Sequence, residues 1–291
     1  MAQLIDGNAM AAVIRQEIAT QITQRLEGDF AAPGLNLLLV GDDPASEVYV
    51  RFKAKDCAAV GISSTITRLP ATASLADVTA IVEAWNADPA VHGILVQMPL
   101  PSHIDEIAVI RTIDPRKDVD GFHPANVGNL MIGVEGFIPC TPLGVLEMLK
   151  RSNIDPSGAH AVVVGRSNIV GKPLAMLLAQ KRPQGNATVT ICHTGTRNLA
   201  EITSSADILI AAVGRAGIIT EQHVRRDSVV IDVGINRVLQ EDGTSRLVGD
   251  VDFAAVEPLV RAITPVPGGV GPMTRAMLLR NTVWSAERLQ V

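Results

Sequence analysis

Short apolar runs, rich in leucine and β-branched residues, alternate with longer alanine-rich stretches along most of the chain. The runs at residues 35–40, 64–69 and 93–96 have the length and composition of strands, and residues 45–60 and 75–86 between them those of helices. A second series follows at 161–164, 188–192, 208–213 and 229–233, its first run leading through Gly165 to a helix near 173–180. Near-continuous apolar strands separated by helices imply parallel sheets covered on both faces. Two such series predict two α/β domains.

A seam falls at residues 139–142 (PCTP), where Thr141 is placed to cap a helix beginning at Pro142. A second seam, residues 264–272 (TPVPGGVGP), reads as a stiff, helix-breaking turn. Beyond it, Thr274 is placed to cap a last helix reaching about Arg288. Periodicity alone leaves open which domain that helix joins, and no internal repeat interrupts the pattern.

Composition narrows the class. Of 291 residues, 47% are hydrophobic and 19% charged, which excludes a mainly disordered chain. Lys and Arg total 25 against 30 Asp and Glu, a net charge of −5, and no basic cluster points to a nucleic-acid partner. No uncharged apolar stretch approaches the ~20 residues of a membrane helix. The opening MAQLIDG lacks a basic and then apolar leader, so no secretory signal is expected. Cys57, Cys140 and Cys192 lie far apart and offer no disulfide framework. These features lead us to expect a soluble, cytoplasmic enzyme.

Three segments carry candidate chemistry. Residues 161–173 (AVVVGRSNIVGKP) read as strand, glycine turn and helix, where Gly165 permits the tight turn and free N–H groups at the helix start suit a pyrophosphate. Ser167 stands where the dinucleotide fingerprint has its second glycine. The second strand of this series ends CHTGTR at 192–197 without the acid that an NAD ribose would use. Arg166, Thr194 and Arg197 instead offer cations and a hydroxyl to a 2′-phosphate, which favours NADP; Arg197 reads equally as a solvated loop residue.

Tyr49, the one tyrosine of the chain, and Lys53 are four residues apart and share a helix face. Such a pair handles protons if burial lowers the lysine's pKa; by spacing alone, the simpler reading is an ordinary helical lysine. Gln97 ends an apolar strand, at the edge where open α/β sheets place ligands. Residues 114–124 (DPRKDVDGFHP) gather acids and a histidine but match neither a calcium loop nor zinc spacing, so no metal is expected. Residues 268–271 lack the ending of a P-loop, and Cys140 reads as a small apolar residue rather than a nucleophile.

Together, residues 44–53 (PASEVYVRFK), 93–101 (GILVQMPLP), 117–124 (KDVDGFHP), 164–173 (VGRSNIVGKP), 231–236 (IDVGIN) and 264–274 (TPVPGGVGPMT) closely resemble the bifunctional methylenetetrahydrofolate dehydrogenase/methenyltetrahydrofolate cyclohydrolase family. The resemblance implies a homodimer whose active-site cleft lies between a discontinuous folate-binding domain (1–141 with 272–291) and a Rossmann-type NADP domain (142–271). It implies Lys53 as the central catalytic residue, Tyr49 stacking beside the substrate and Gln97 tuning Lys53. Asp120 would hold the pterin, Pro267 and Gly268 would line the folate pocket, and Gly165, Arg166, Ser167, Thr194 and Ile235 would contact the cofactor. Met98 stands where leucine is usual, a volume-conserving change, and Thr194 where serine is common. Residues 181–187 form a slightly long connection. The alternatives are a folate dehydrogenase without the hydrolysis, or a non-catalytic NADP- or folate-binding regulator.

Overall fold

The computed structural model describes residues 2–240 and 243–289. In chain order its main elements are β1 (Gln3–Leu4), α1 (Gly7–Glu27), β2 (Gly34–Val40), α2 (Pro44–Val60), β3 (Ser63–Leu69), α3 (Leu75–Ala87), β4 (Gly93–Val96), α4 (Glu106–Thr112) and α5 (Pro124–Ile132). There follow α6 (Cys140–Arg151), β5 (His160–Val164), α7 (Gly171–Ala179), β6 (Thr188–Cys192), α8 (Leu199–Thr203), β7 (Ile208–Ala211), β8 (Val229–Asp232), β9 (Asn236–Leu239), β10 (Ser245–Val248), α9 (Phe253–Val256), β11 (Ala262–Ile263) and α10 (Val270–Arg288). The chain divides into two α/β units, one comprising Ala12–Cys140 with the residues from Arg275 on, the other the residues up to Ala11 with Thr141–Thr274.

The first unit is built on a three-stranded parallel sheet of order β3-β2-β4. The central strand β2 is buried almost throughout, and Leu38, Val40, Ile94 and Val96 pack with Val78 and Val82 of α3 and Val109 of α4. Local chemistry sets the helix limits. The Asp43 carboxylate accepts the Ser46 N–H at 2.7 Å, Pro44 occupies the first turn of α2, and Gly61 ends the helix in the left-handed region at φ 89°. Ser74 and Asp77 form a capping box on α3.

The second unit carries a six-stranded sheet of order β1-β11-β8-β7-β5-β6, with its strands parallel, and a separate antiparallel hairpin, β9–β10. From β5 the chain continues to β6 on one side and later to β7 and β8 on the other. This reversal of strand order places the carboxyl end of β5, and Gly165 after it, at the switch point where open α/β sheets bind ligands.

Three sequence expectations shift. Residues up to Ala11 group with the second unit, not the first, because Gln3 and Leu4 pair with Ala262 and Ile263; a strand of two residues carries no alternation to read. Helix α6 starts at Cys140, so Thr141 lies within it and its hydroxyl meets that of Thr274 at 2.9 Å. Helix α10 starts at Val270 and not after Thr274; Pro272 falls in its first turn, where a missing N–H costs nothing. Among the described residues no helix is long and apolar enough to cross a membrane, and all three cysteines are buried free thiols.

Candidate active site

In the first unit, Lys53 lies in the middle of α2, whose start and end are both fixed by caps. Its ammonium donates to Gln97 Oε1 at 3.0 Å. Gln97 follows β4; its backbone N–H donates to Leu38 O at 2.9 Å, and its side-chain NH₂ donates to Met98 O at 2.6 Å. With the NH₂ so engaged, the amide oxygen is the end presented to Lys53. Tyr49, one turn earlier on α2, is 42% exposed. A phenol ring and an amine held by a fixed amide thus stand on one helix.

The acid-rich loop holds groups of two kinds. Lys117, buried, donates to the carbonyls of Trp85, Asn86 and Asp88 at 3.0, 2.9 and 2.7 Å and closes the C-terminus of α3. Asp118, also buried, accepts from Phe122 N, His123 N and Asn126 Nδ2. Asp120 remains for other work. Loss of water pushes its carboxyl above the usual carboxylate range, opposed by the positive charge of Lys53 and by the Cys140 thiol. Lys53, Gln97 and Asp120 therefore belong to one electrostatic neighbourhood. Cys140 is buried, donates to Val119 O at 3.3 Å, and has its thiol pKa raised by burial and then by Asp120. Sequence reading missed two supports from α10: Asn281 donates to Val119 O at 2.8 Å, and Ser285 to His92 O at 2.5 Å and Arg116 O at 2.9 Å.

In the second unit, Gly165 has φ 136°, and a Cβ there would meet Ala212 O at 2.1 Å. Gly171 is equally confined, since its Cβ would meet Gly165 O at 2.2 Å. Backbone thus approaches backbone where a side chain would fill the space, as a dinucleotide turn requires. One expectation needs correction: the Ser167 hydroxyl accepts from Val170 N at 3.1 Å and Gly171 N at 3.3 Å, so two donors at the start of α7 are already used. Arg166, Thr194 and Arg197 are exposed at the carboxyl ends of the paired strands β5 and β6. The turn carrying Thr194 is held by His193 N donating to Thr196 Oγ1 at 2.8 Å and Gly195 N to His193 Nδ1 at 3.0 Å. Cradle, exposed cations and hydroxyl, and the absent acid together fit an NADP molecule.

Ile235, 44% exposed, follows β8. Gly268, at φ 103°, and Pro267 lie in the turn after β11, where Gly268 O accepts from Asn8 N at 3.0 Å. At the same edge, Asp232 is buried and its pKa is raised to about 6, chiefly by desolvation.

Two domain families match the chain. Tetrahydrofolate dehydrogenase/cyclohydrolase, catalytic domain, covers residues 5–120, and tetrahydrofolate dehydrogenase/cyclohydrolase, NAD(P)-binding domain, covers 139–290. The bifunctional protein FolD of Prosthecochloris aestuarii is 54% identical over 289 residues, covering 98% of each chain. That of Moorella thermoacetica is 55% identical over 287 residues, covering 99% of each. Among solved structures, the Campylobacter jejuni bifunctional FolD methylenetetrahydrofolate dehydrogenase/cyclohydrolase superposes with TM-score 0.94 at 45% identity, covering 99% of each chain. The Trypanosoma brucei N5,N10-methylenetetrahydrofolate dehydrogenase-cyclohydrolase, complexed with NADP cofactor and inhibitor, gives 0.93 at 38% identity, covering 99% of this chain and 98% of that one. This chain belongs to the tetrahydrofolate dehydrogenase/cyclohydrolase family.

Proposed function

We propose that the protein oxidises 5,10-methylenetetrahydrofolate to 5,10-methenyltetrahydrofolate with NADP⁺ and then hydrolyses the product to 10-formyltetrahydrofolate. The observation that carries the reading is the Lys53 ammonium donating to a Gln97 amide whose orientation is fixed by Met98 O. It lies within the span matched by the family's catalytic domain.

NADP⁺, when bound, supplies the acceptor for the hydride. Gly165, Arg166, Ser167, Thr194 and Ile235 hold it, with the Arg166 guanidinium and Thr194 hydroxyl serving the 2′-phosphate. The oxidation transfers no proton to a side chain, so the chain's own contribution there is to bind and align. In the hydrolysis the attacking water loses a proton and a ring nitrogen gains one. Lys53 moves those protons, and Gln97 holds the amine where it acts. Tyr49 stacks beside the substrate. Asp120 accepts hydrogen bonds from the pterin's amino and ring N–H groups, a pairing strengthened by charge. Pro267 and Gly268 are further folate contacts. The working form is a homodimer in the cytoplasm.

A spectrophotometric assay of the purified protein with methylenetetrahydrofolate and NADP⁺ tests this. NADPH should form, followed by decay of the methenyl absorbance to 10-formyltetrahydrofolate. NADPH formation with a stable methenyl signal would leave a dehydrogenase alone, and no turnover would leave a binding protein.

A further inference from the structure

Two buried carboxylates in the second unit take no part in the mechanism above. Asp250 is fully buried just beyond β10. Its Oδ2 accepts from Val213 N at 2.6 Å and Gly214 N at 2.9 Å, and its Oδ1 from Arg215 N and Asn236 Nδ2, both at 2.9 Å. Three consecutive backbone N–H groups of the turn after β7 thus converge on one side chain. Asp232, the last residue of β8, accepts from Gly234 N and Asp250 N on Oδ1 and from Val251 N on Oδ2, each at 2.9 Å. Its own N–H donates to Thr264 Oγ1 at 2.7 Å, at the head of the turn that carries Pro267.

The surroundings are shaped to admit these carboxylates. A Cβ on Gly234 would meet Asp250 Oδ1 at 2.1 Å, and one on Gly249 would meet Asp232 Oδ2 at 1.8 Å. The two turns they hold lie at the carboxyl edge of the sheet. Residues 213–215 continue from Ala212, whose carbonyl faces Gly165, and residues 234–236 carry Ile235. Buried carboxyl groups that take donors from these turns make any departure of the turns costly, because a buried polar group would lose its partners.

We propose that Asp232 and Asp250 are positioning residues of the dinucleotide site, fixing the turns at 213–215 and 234–236 before the cofactor arrives without touching it. The proposal rests on the NADP reading above and adds to it the means by which the edge is preorganised.

Asp250→Asn in the full chain is the test. Its NH₂ must face either Val213 and Gly214 or Arg215 and Asn236, so two contacts become donor against donor. With circular dichroism confirming the fold and no cofactor present, amide exchange of the peptide spanning 213–215 should accelerate about 10-fold or more. Exchange in β2 should not change. The Kd and KM for NADP⁺ should rise by a similar factor of about 10, while the KM for folate and kcat at saturating cofactor stay within about two-fold. Unchanged NADP⁺ affinity in the folded variant, or exchange accelerated evenly through the six-stranded sheet, would overturn the proposal. Should Asp250→Asn fail to fold, Asn236→Ala removes one of the four donors and should raise both the local exchange and the Kd by about three-fold; no change in either would overturn it. Wild-type protein measured alongside separates the two readings. If the wild type does not bind NADP⁺, the cofactor reading fails, while the exchange data still decide whether the carboxylates hold the turns.

Discussion

The two units solve different problems with different parts. In the first, the proposed chemistry rests on side chains: Lys53 and Tyr49 on a capped helix, Gln97 at a strand end, and Asp120 near an Asp118 whose carboxylate accepts from backbone N–H groups. In the second, backbone is presented. Gly165 and Gly171 clear the space, and Asp232 and Asp250 are buried with backbone N–H groups of the edge turns on their carboxyls. Proton chemistry needs a particular side-chain atom at a particular place, whereas dinucleotide binding needs backbone cleared and held in a fixed shape and a few exposed charges. Substitutions in the two regions should therefore fail in different ways.

The largest effect is expected at Lys53. Lys53→Met keeps most of the stem and deletes the amine, so hydrolysis of supplied methenyltetrahydrofolate should slow by ~10²–10⁴-fold. Stopped-flow or steady-state decay of the methenyl absorbance checks this. Next comes Asp120→Ala. Loss of a charge-assisted pairing of ~1.5–3 kcal/mol should weaken folate binding roughly 10- to 150-fold, with NADP⁺ binding unchanged by calorimetry. Arg166→Ala should act on the other unit alone. Because Arg166 is exposed and its charge is screened, the loss should be about 10-fold in NADP⁺ affinity, with NAD⁺ affected far less.

A different kind of effect, on stability rather than activity, is a slope with pH. The Asp232 carboxyl titrates at about 6 when folded against an ordinary value of 3.8, so between those limits the folded state holds the extra proton. Its contribution to stability is fully present below the lower value and lost as pH rises to about 6, a change of roughly 3 kcal/mol. Denaturant titrations of wild type and Asp232→Asn from pH 4 to 7 should give a difference curve with that fall. A flat difference would mean that Asp232 is not strained by its burial beside Asp250.

The contrast also explains what could be read in the sequence. Strands β2, β4, β5 and β8 were legible because a strand covered on both faces is apolar at nearly every position. Helix α1 carries a usable signal too, with Ala11, Ile14, Ile18 and Ile22 buried at helical spacing. The β9–β10 hairpin carries none, since Val238, Leu239 and Leu247 are exposed. Of the site, the Tyr49/Lys53 pair follows from spacing, but the hydrogen bond from Lys53 to Gln97 joins residues 44 apart and needed the fold. Of the seven donors on Asp232 and Asp250, Gly234 N alone is local, two residues after Asp232; the others lie 14 to 37 residues away and needed the fold. Side chains that do chemistry advertise themselves by type; those that hold backbone do not.

The central claim is that proton transfer resides in the first unit and cofactor binding in the second. The ratio of cyclohydrolase to dehydrogenase activity, measured on single preparations of Lys53→Met and Arg166→Ala at saturating NADP⁺, tests it directly. The account predicts a collapse of the ratio in Lys53→Met, with methenyl product accumulating, and an unchanged ratio in Arg166→Ala. Equal loss of both activities in Lys53→Met would contradict it, for Lys53 would then be aligning the substrate rather than moving protons.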